Sequence, residues 1–147
     1  MKIETVRIIP VDGPSDMRWV HWLNNQIFPD DRPPNEPASW VLAFLEKEPV
    51  AFGGHQLLGD GVGFHYRAGV MPSARGKGIQ KALIVYREAV MICAGCKKAV
   101  TYTEVYSAAS MRSFWALGYR PFEADEQTGS RTAGDSWKRM VHWEKAL

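Results

Sequence analysis

At 147 residues with 46% hydrophobic side chains, the chain has enough apolar surface for one core and too little length for two ordinary ones, so a single domain over 1–147 is expected. A formal net charge of +2 is close to neutral and argues against a nucleic acid or an anionic membrane as partner. Met1-Lys2-Ile3-Glu4 opens no apolar leader, and no run approaches the length of a membrane span, so a soluble, cytoplasmic protein is expected.

In chain order, Ile3, Val6, Ile8 and Val11 read as a first strand, and Pro14-Ser15-Asp16 opens a helix with the apolar stripe Met17, Val20, Leu23 and Ile27. A proline- and acid-rich loop occupies 28–38. Three runs rich in β-branched and aromatic residues follow at 40–45, 50–58 and 62–71, separated by Glu46-Lys47-Glu48-Pro49 and Gly59-Asp60-Gly61, and read as strands joined by turns.

The segment Val70-Met71-Pro72-Ser73-Ala74-Arg75-Gly76-Lys77-Gly78-Ile79-Gln80 is the most informative in the chain. A strand stops at a proline, and a glycine-spaced basic loop opens directly into a helix. Glycines 76 and 78 let the backbone approach a ligand, and the first amides of a helix have no internal partners. With Arg75, Lys77 and the positive end of the helix dipole, this suits a phosphate or diphosphate. It is neither the G-x-x-x-x-G-K-[ST] loop, because Ile79 and Gln80 follow Gly78, nor the G-x-G-x-x-G fingerprint, because the third glycine is missing.

From Ile79 the apolar positions Ala82, Leu83, Tyr86, Val90 and Cys93 form a helical stripe, with Lys81, Arg87 and Glu88 assigned to the solvent face. Gly95 is placed to end this helix. Cys93 and Cys96 form a C-x-x-C at the wrong end of a helix for a redox pair. No second ligand pair supports a zinc site, so they read as intracellular thiols and no metal is expected. A strand over 99–106 leads to Ser107 as helix cap, with Met111, Phe114, Trp115 and Leu117 on the apolar side. Gly118 ends that helix before a strand over 119–122. A Gly/Ser/Thr-rich hairpin region from Glu126 and a last strand over 137–143 complete the reading.

With the elements in this order, the chain resembles the GNAT acetyltransferase superfamily, whose members move an acyl group from acetyl-CoA to an amine. The first motif, V-x-P-x-x-R-G-x-G-[IVL]-[GA], is matched at Val70, Pro72, Arg75, Gly76, Gly78 and Ile79 and departs at Gln80. The second, N-x-x-[SA]-x-x-x-[YF]-x-x-x-G-[FY], is matched at Ser110, Phe114, Gly118 and Tyr119 and departs at Ser107. The likeness in element order covers about residues 50–146. It implies an α+β, three-layer fold: a mixed, mostly antiparallel sheet of six to seven strands with about four helices on its two faces.

The resemblance further implies acetyl-CoA as acyl donor, with no metal. Its diphosphate would lie on the backbone of Arg75, Gly76, Lys77, Gly78, Ile79 and Gln80, and its arm along Val70 and Met71, where a strand amide meets the thioester oxygen. Ser107, Ser110 and Phe114 would add contacts from the second motif, with a shorter side chain at Ser107 than the usual Asn. The acceptor would be the primary amine of a small molecule or peptide, attacked directly in a ternary complex; a homodimer stays open. Proton removal falls first to Glu104, late in its strand, and second to His65. Phe114 stands where many members place a proton-donating Tyr, so Tyr106, Tyr119 or water could serve, or the thiolate could leave unassisted. The missing Tyr and Asn also leave open a non-catalytic sensor of CoA or acyl-CoA. Trp19, Trp22 and Trp40 flank the loop where the family forms its acceptor pocket. The loop's carboxylates could attract a cationic acceptor, although a solvated surface loop is the plainer reading.

Overall fold

The computed structural model describes residues 4–31, 34 and 38–147; Ile3, and Arg32, Pro33, Asn35, Glu36 and Pro37 of the acidic loop, lie outside the described residues. In chain order the elements are β1 (Val6–Pro10), α1 (Gly13–Ile27), β2 (Ser39–Leu45), β3 (Glu48–Gly59), β4 (Val62–Val70), α2 (Ile79–Cys93), β5 (Lys98–Thr103), α3 (Ala108–Ala116), β6 (Arg120–Phe122), α4 (Glu126–Ala133) and β7 (Val141–Ala146). The strands form one mixed sheet in the order β1-β2-β3-β4-β5-β7-β6. It is mostly antiparallel. β4 and β5 run parallel, which requires a crossover, and α2 supplies it. No helix among the described residues is long and apolar enough to cross a membrane.

The chain packs as two compact units, Met1–Gln56 with Arg67–Arg87, and Leu57–Tyr66 with Glu88–Leu147. In the first, β1 pairs with β2 from Val6↔Leu45 to Pro10↔Val41, and β2 pairs with β3. Val41, Ala43, Val50, Ala51, Ala74, Ile79 and Leu83 form its core, so the start of α2 is anchored by burial on the sheet. Gly54 is required by packing: a Cβ there would lie 2.7 Å from the Trp40 ring. Trp40 is a core residue, 6% exposed. Trp19 and Trp22 on α1 are exposed and meet edge to face at 6.0 Å.

In the second unit, β5 pairs with β7 from Lys98↔Ala146 to Thr103↔Val141, and β6 closes the edge on β7. Both long-range helices end as the glycines dictate. After α2, Gly95 (φ 90°) lets Cys96 N–H donate to Met91 O and Gly95 N–H to Ile92 O. After α3, Gly118 (φ 97°) lets Tyr119 N–H reach Phe114 O, and the two rings pack at 5.0 Å, the hydrophobic contact that accompanies this cap.

Four expectations are corrected. First, the region from Glu126 is not a hairpin. Asp125 accepts from Thr128 N–H at 2.8 Å and caps α4, the hydroxyls of Ser130 and Thr132 bond back to carbonyls at Glu126 and Thr128, and a 3-10 segment Gly134–Arg139 follows, so the last strand begins at Val141. The polar residues that read as turn formers satisfy themselves within a helix. Second, β5 ends at Thr103, which puts Glu104 beyond the strand. Third, Ser107 occupies the cap position of α3 but makes no side-chain capping bond. Fourth, α2 buries Arg87 and Glu88 and exposes Val90 and Cys93. Arg87 fits because its Nε donates to Leu83 O at 3.1 Å and its Nη1 to Gly54 O at 2.8 Å, and because Gly53 has no Cβ to crowd the guanidinium.

Candidate functional site

The candidate residues divide between the two units. In the first, β4 leaves the sheet at Val70 and passes through a 3-10 turn, Pro72–Ala74, into the exposed stretch from Arg75 to Gly78. Gly76 and Gly78 both take left-handed φ, 77° and 79°, and a Cβ at either would meet nothing within 4 Å. Their backbone therefore faces open space. The first α2 hydrogen bond runs from Ala82 N–H to Gly78 O, and among the described residues the amides of residues 76–81 donate to no backbone carbonyl. Here the sequence dictates local geometry: a left-handed glycine stands on each side of Lys77, and the helix start adds amides without internal partners.

The cations around this nest are held loosely. Arg75 Nε donates to Val70 O at 3.2 Å, which folds the side chain back over the strand end. Lys77 Nζ pairs with Glu4 Oε2 at 2.5 Å on the surface, where such a pair contributes little and yields readily to a competing anion. Met71 has both backbone groups engaged, its N–H with Val50 O at 2.8 Å and its C=O with Ala74 N–H at 2.9 Å. Of the two amides expected to meet a thioester oxygen, Met71's is thus occupied by protein. On the neighbouring strand β3, His55 is 5% exposed, and burial together with the Arg87 guanidinium lowers its imidazole from 6.5 to about 4. It is a neutral core residue at physiological pH.

The second unit holds His65, Glu104, Ser107, Ser110 and Phe114. The β4–β5 ladder stops at Phe64↔Val100, and just past it Thr101 Oγ1 donates to His65 O at 3.0 Å, which fixes the His65 backbone. The His65 ring is 2% exposed and packs against Phe114 and Tyr119, at centroid distances of 5.7 and 5.6 Å. Its Nε2 lies 2.6 Å from the Tyr119 hydroxyl, that hydroxyl donates to Glu88 Oε2 at 2.7 Å, and the Lys145 ammonium lies 2.9 Å from the same oxygen. A side-chain chain of four residues, from β4, the segment between α3 and β6, α2 and β7, thus leads from a buried imidazole to a partly exposed lysine.

Glu104 sits outside this chain, half-buried in the turn after β5, where its carbonyl accepts from Ser107 N–H at 3.0 Å. Ser107 and Ser110 are half-buried at the start of α3, and Phe114 is buried against His65 and Tyr119. Tyr106 is 79% exposed, whereas Tyr119 is fully buried. Glu88 and Lys145 were not anticipated as site residues. The phase of α2 that buries Ile84, Arg87, Glu88 and Met91 is set by the fold, and local pattern had assigned Glu88 to solvent. Nothing local marks Lys145.

Comparison with known proteins bears on the family and the fold. The family model described as Acetyltransferase (GNAT) family matches residues 9–119. A mycothiol acetyltransferase of Arthrobacter sp. (strain FB24) is 29% identical over 100 residues, which make up 67% of this chain and 30% of that protein. The match therefore spans under a third of that relative's length. Among solved structures, an acetyltransferase of Bacillus subtilis in complex with CoA superposes with a TM-score of 0.75 at 16% identity, covering 97% of this chain and 99% of that one. The ribosomal-protein-S18-alanine N-acetyltransferase of Escherichia coli superposes with a TM-score of 0.74 at 13% identity, covering 97% and 94%. At these identities the superpositions speak to the fold.

Proposed function

The chain belongs to the GNAT acetyltransferase family, and we propose that it transfers an acetyl group from acetyl-CoA to the primary amine of a small-molecule or peptide acceptor, by direct attack. The observation that carries this is the nest at residues 76–81: two left-handed glycines opening on empty space, with amides that donate to no backbone carbonyl among the described residues and two cations beside them. A diphosphate fits that donor set, because several amides and the helix dipole converge on one anion without a side chain in the way. Arg75, Gly76, Lys77, Gly78, Ile79 and Gln80 would hold it. Lys77 would exchange Glu4 for phosphate.

In this reading the pantetheine arm continues along the end of β4. The amide that polarises the thioester oxygen is Val70's, since Met71's is bonded to Val50. Ser107, Ser110 and Phe114 are the second-motif residues assigned to the coenzyme, and Glu104 and His65 the two candidates for taking the amine's proton. The amine must be neutral to attack, so a proton has to leave before or during carbon–nitrogen bond formation, and the thiolate of CoA departs as the carbonyl reforms. Phe114 cannot protonate that thiolate; a thiol's modest basicity lets it leave with water as proton source. Action within the cytoplasm, where acetyl-CoA is made, accords with the two free cysteines.

Calorimetry with acetyl-CoA, followed by thiol release against a panel of polyamines, amino-sugars and N-terminal peptides, tests the proposal. Binding with amine-dependent release supports it. Binding without release on any amine would instead favour a coenzyme sensor, the reading that Phe114 and Ser107 keep in view, and failure to bind the coenzyme would refute both.

A further inference from the structure

We propose that Glu4 is an internal competitor of the coenzyme: its carboxylate holds the Lys77 ammonium in the free protein, and the diphosphate must displace it to engage that cation. The inference rests on the acetyl-transfer reading for the identity of the ligand and goes beyond it, to a residue 73 positions from its partner and outside both family motifs. Both residues belong to the first unit. Lys77 stands between the two left-handed glycines, and its Nζ lies 2.5 Å from Glu4 Oε2, in a pair whose side chains are 34% and 45% exposed. The other cation, Arg75, donates from Nε to the neutral Val70 carbonyl, which leaves its charge in place. One of the two charges beside the exposed amides is thus neutralised from within the chain. A Cβ at Gly76 or Gly78 would meet nothing within 4 Å, so Glu4 acts on the cation and does not fill the space at either glycine.

Strand register sets the pair. β1 joins β2 from Val6↔Leu45 onward, and Thr5 extends the attachment by one residue: its N–H donates to Glu46 Oε1 at 3.1 Å, and its C=O accepts from Glu46 N–H at 3.0 Å. Glu4 is the next residue out, at the end of an anchored strand. The ladder and the two Thr5 bonds fasten β1 without help from the ion pair, which leaves the pair little structural work. An exposed pair adds little to folding, yet it counts in full against a ligand that needs the same ammonium. On binding, Lys77 exchanges a carboxylate for phosphate oxygens and Glu4 returns to water. The coenzyme is therefore held more weakly by the factor that the pair represents, about two- to fivefold.

Calorimetry with CoA, and separately with inorganic pyrophosphate, tests this. Glu4→Gln should tighten both ligands about two- to fivefold and leave the unfolding midpoint unchanged. Lys77→Met should weaken both, and Glu4→Gln added to it should bring no further gain, because the competitor has lost its target. Glu46→Gln removes an equal charge from the neighbouring turn and keeps the oxygen that accepts from Thr5, so its affinity should equal the wild type's. Unchanged or weaker binding by Glu4→Gln would overturn the proposal. So would an equal gain in the Lys77→Met background or from Glu46→Gln, since either would mean a general effect of charge rather than a competing pair. A purely structural role would lower the unfolding midpoint of Glu4→Gln and leave affinity alone. The acetyl-transfer reading fails separately: pyrophosphate binding that Glu4→Gln strengthens, without any binding of CoA, would keep the competitor and remove the coenzyme. Failure of both ligands to bind the wild type and Glu4→Gln would refute both.

Discussion

Replacing His55 tests the electrostatics of the first unit quantitatively. The imidazole is 5% exposed on β3, and its fall from 6.5 to about 4 is caused first by burial and then by the Arg87 guanidinium. The unfolded chain binds the proton near pH 6.5 and the folded chain only near 4, so the unfolded state holds more protons between those values. Stability is therefore complete above pH 6.5 and declines as pH falls towards 4. The full gap corresponds to at most about 3 kcal/mol, and the part lost between pH 7 and pH 5 to about 2 kcal/mol, with screening reducing both. His55→Leu removes the titrating ring at similar size and leaves Arg87 charged throughout. Urea unfolding at pH 7 and pH 5, with slopes of about 1–3 kcal/mol per molar, should show the wild-type midpoint dropping by about 1 M more than the variant's. Equal drops in the two proteins would refute the assignment of this acid sensitivity to His55.

Gly78→Val should weaken acetyl-CoA binding about tenfold or more, by calorimetry, because the left-handed φ of 79° is costly for a β-branched residue and a side chain would stand where the ligand backbone contact forms. With no neighbour within 4 Å of that Cβ, the loss should come without an internal clash; unchanged affinity would remove the nest from the site. Glu104→Gln should flatten the acidic limb of the pH–rate profile and spare coenzyme affinity if Glu104 takes the amine's proton, and an untouched profile would leave that task to His65. Gly54→Ala should cost about 1–3 kcal/mol in chemical unfolding, since its Cβ would come within 2.7 Å of Trp40, and a neutral effect would mean that the ring has room to shift.

The sequence by itself determined the stretch from Val70 to Gln80 and the two helix ends at Gly95 and Gly118. These depend on short-range demands, on a missing Cβ where φ is positive and on amides or carbonyls without partners a few residues away, which local spacing records. It also carried the strand order well enough to suggest the fold, because apolar runs and turn residues alternate cleanly up to residue 122. The region from 126 to 139 escaped, since Ser, Thr and Gly favour turns until a helix offers their hydroxyls carbonyl partners and the Trp137 ring covers Gly129.

Only the tertiary structure decided what the charged residues of α2 do. Local pattern sends Arg87 and Glu88 to solvent, because an unpaired buried charge is prohibitively costly. Their partners lie far along the chain: Gly54 is 33 residues from Arg87, and Tyr119 and Lys145 are 31 and 57 from Glu88. The same holds for His65, whose buried ring meets the Tyr119 hydroxyl only because folding brings together residues 54 apart. Burial of a polar group is made tolerable by partners that folding assembles, and no window of sequence contains them.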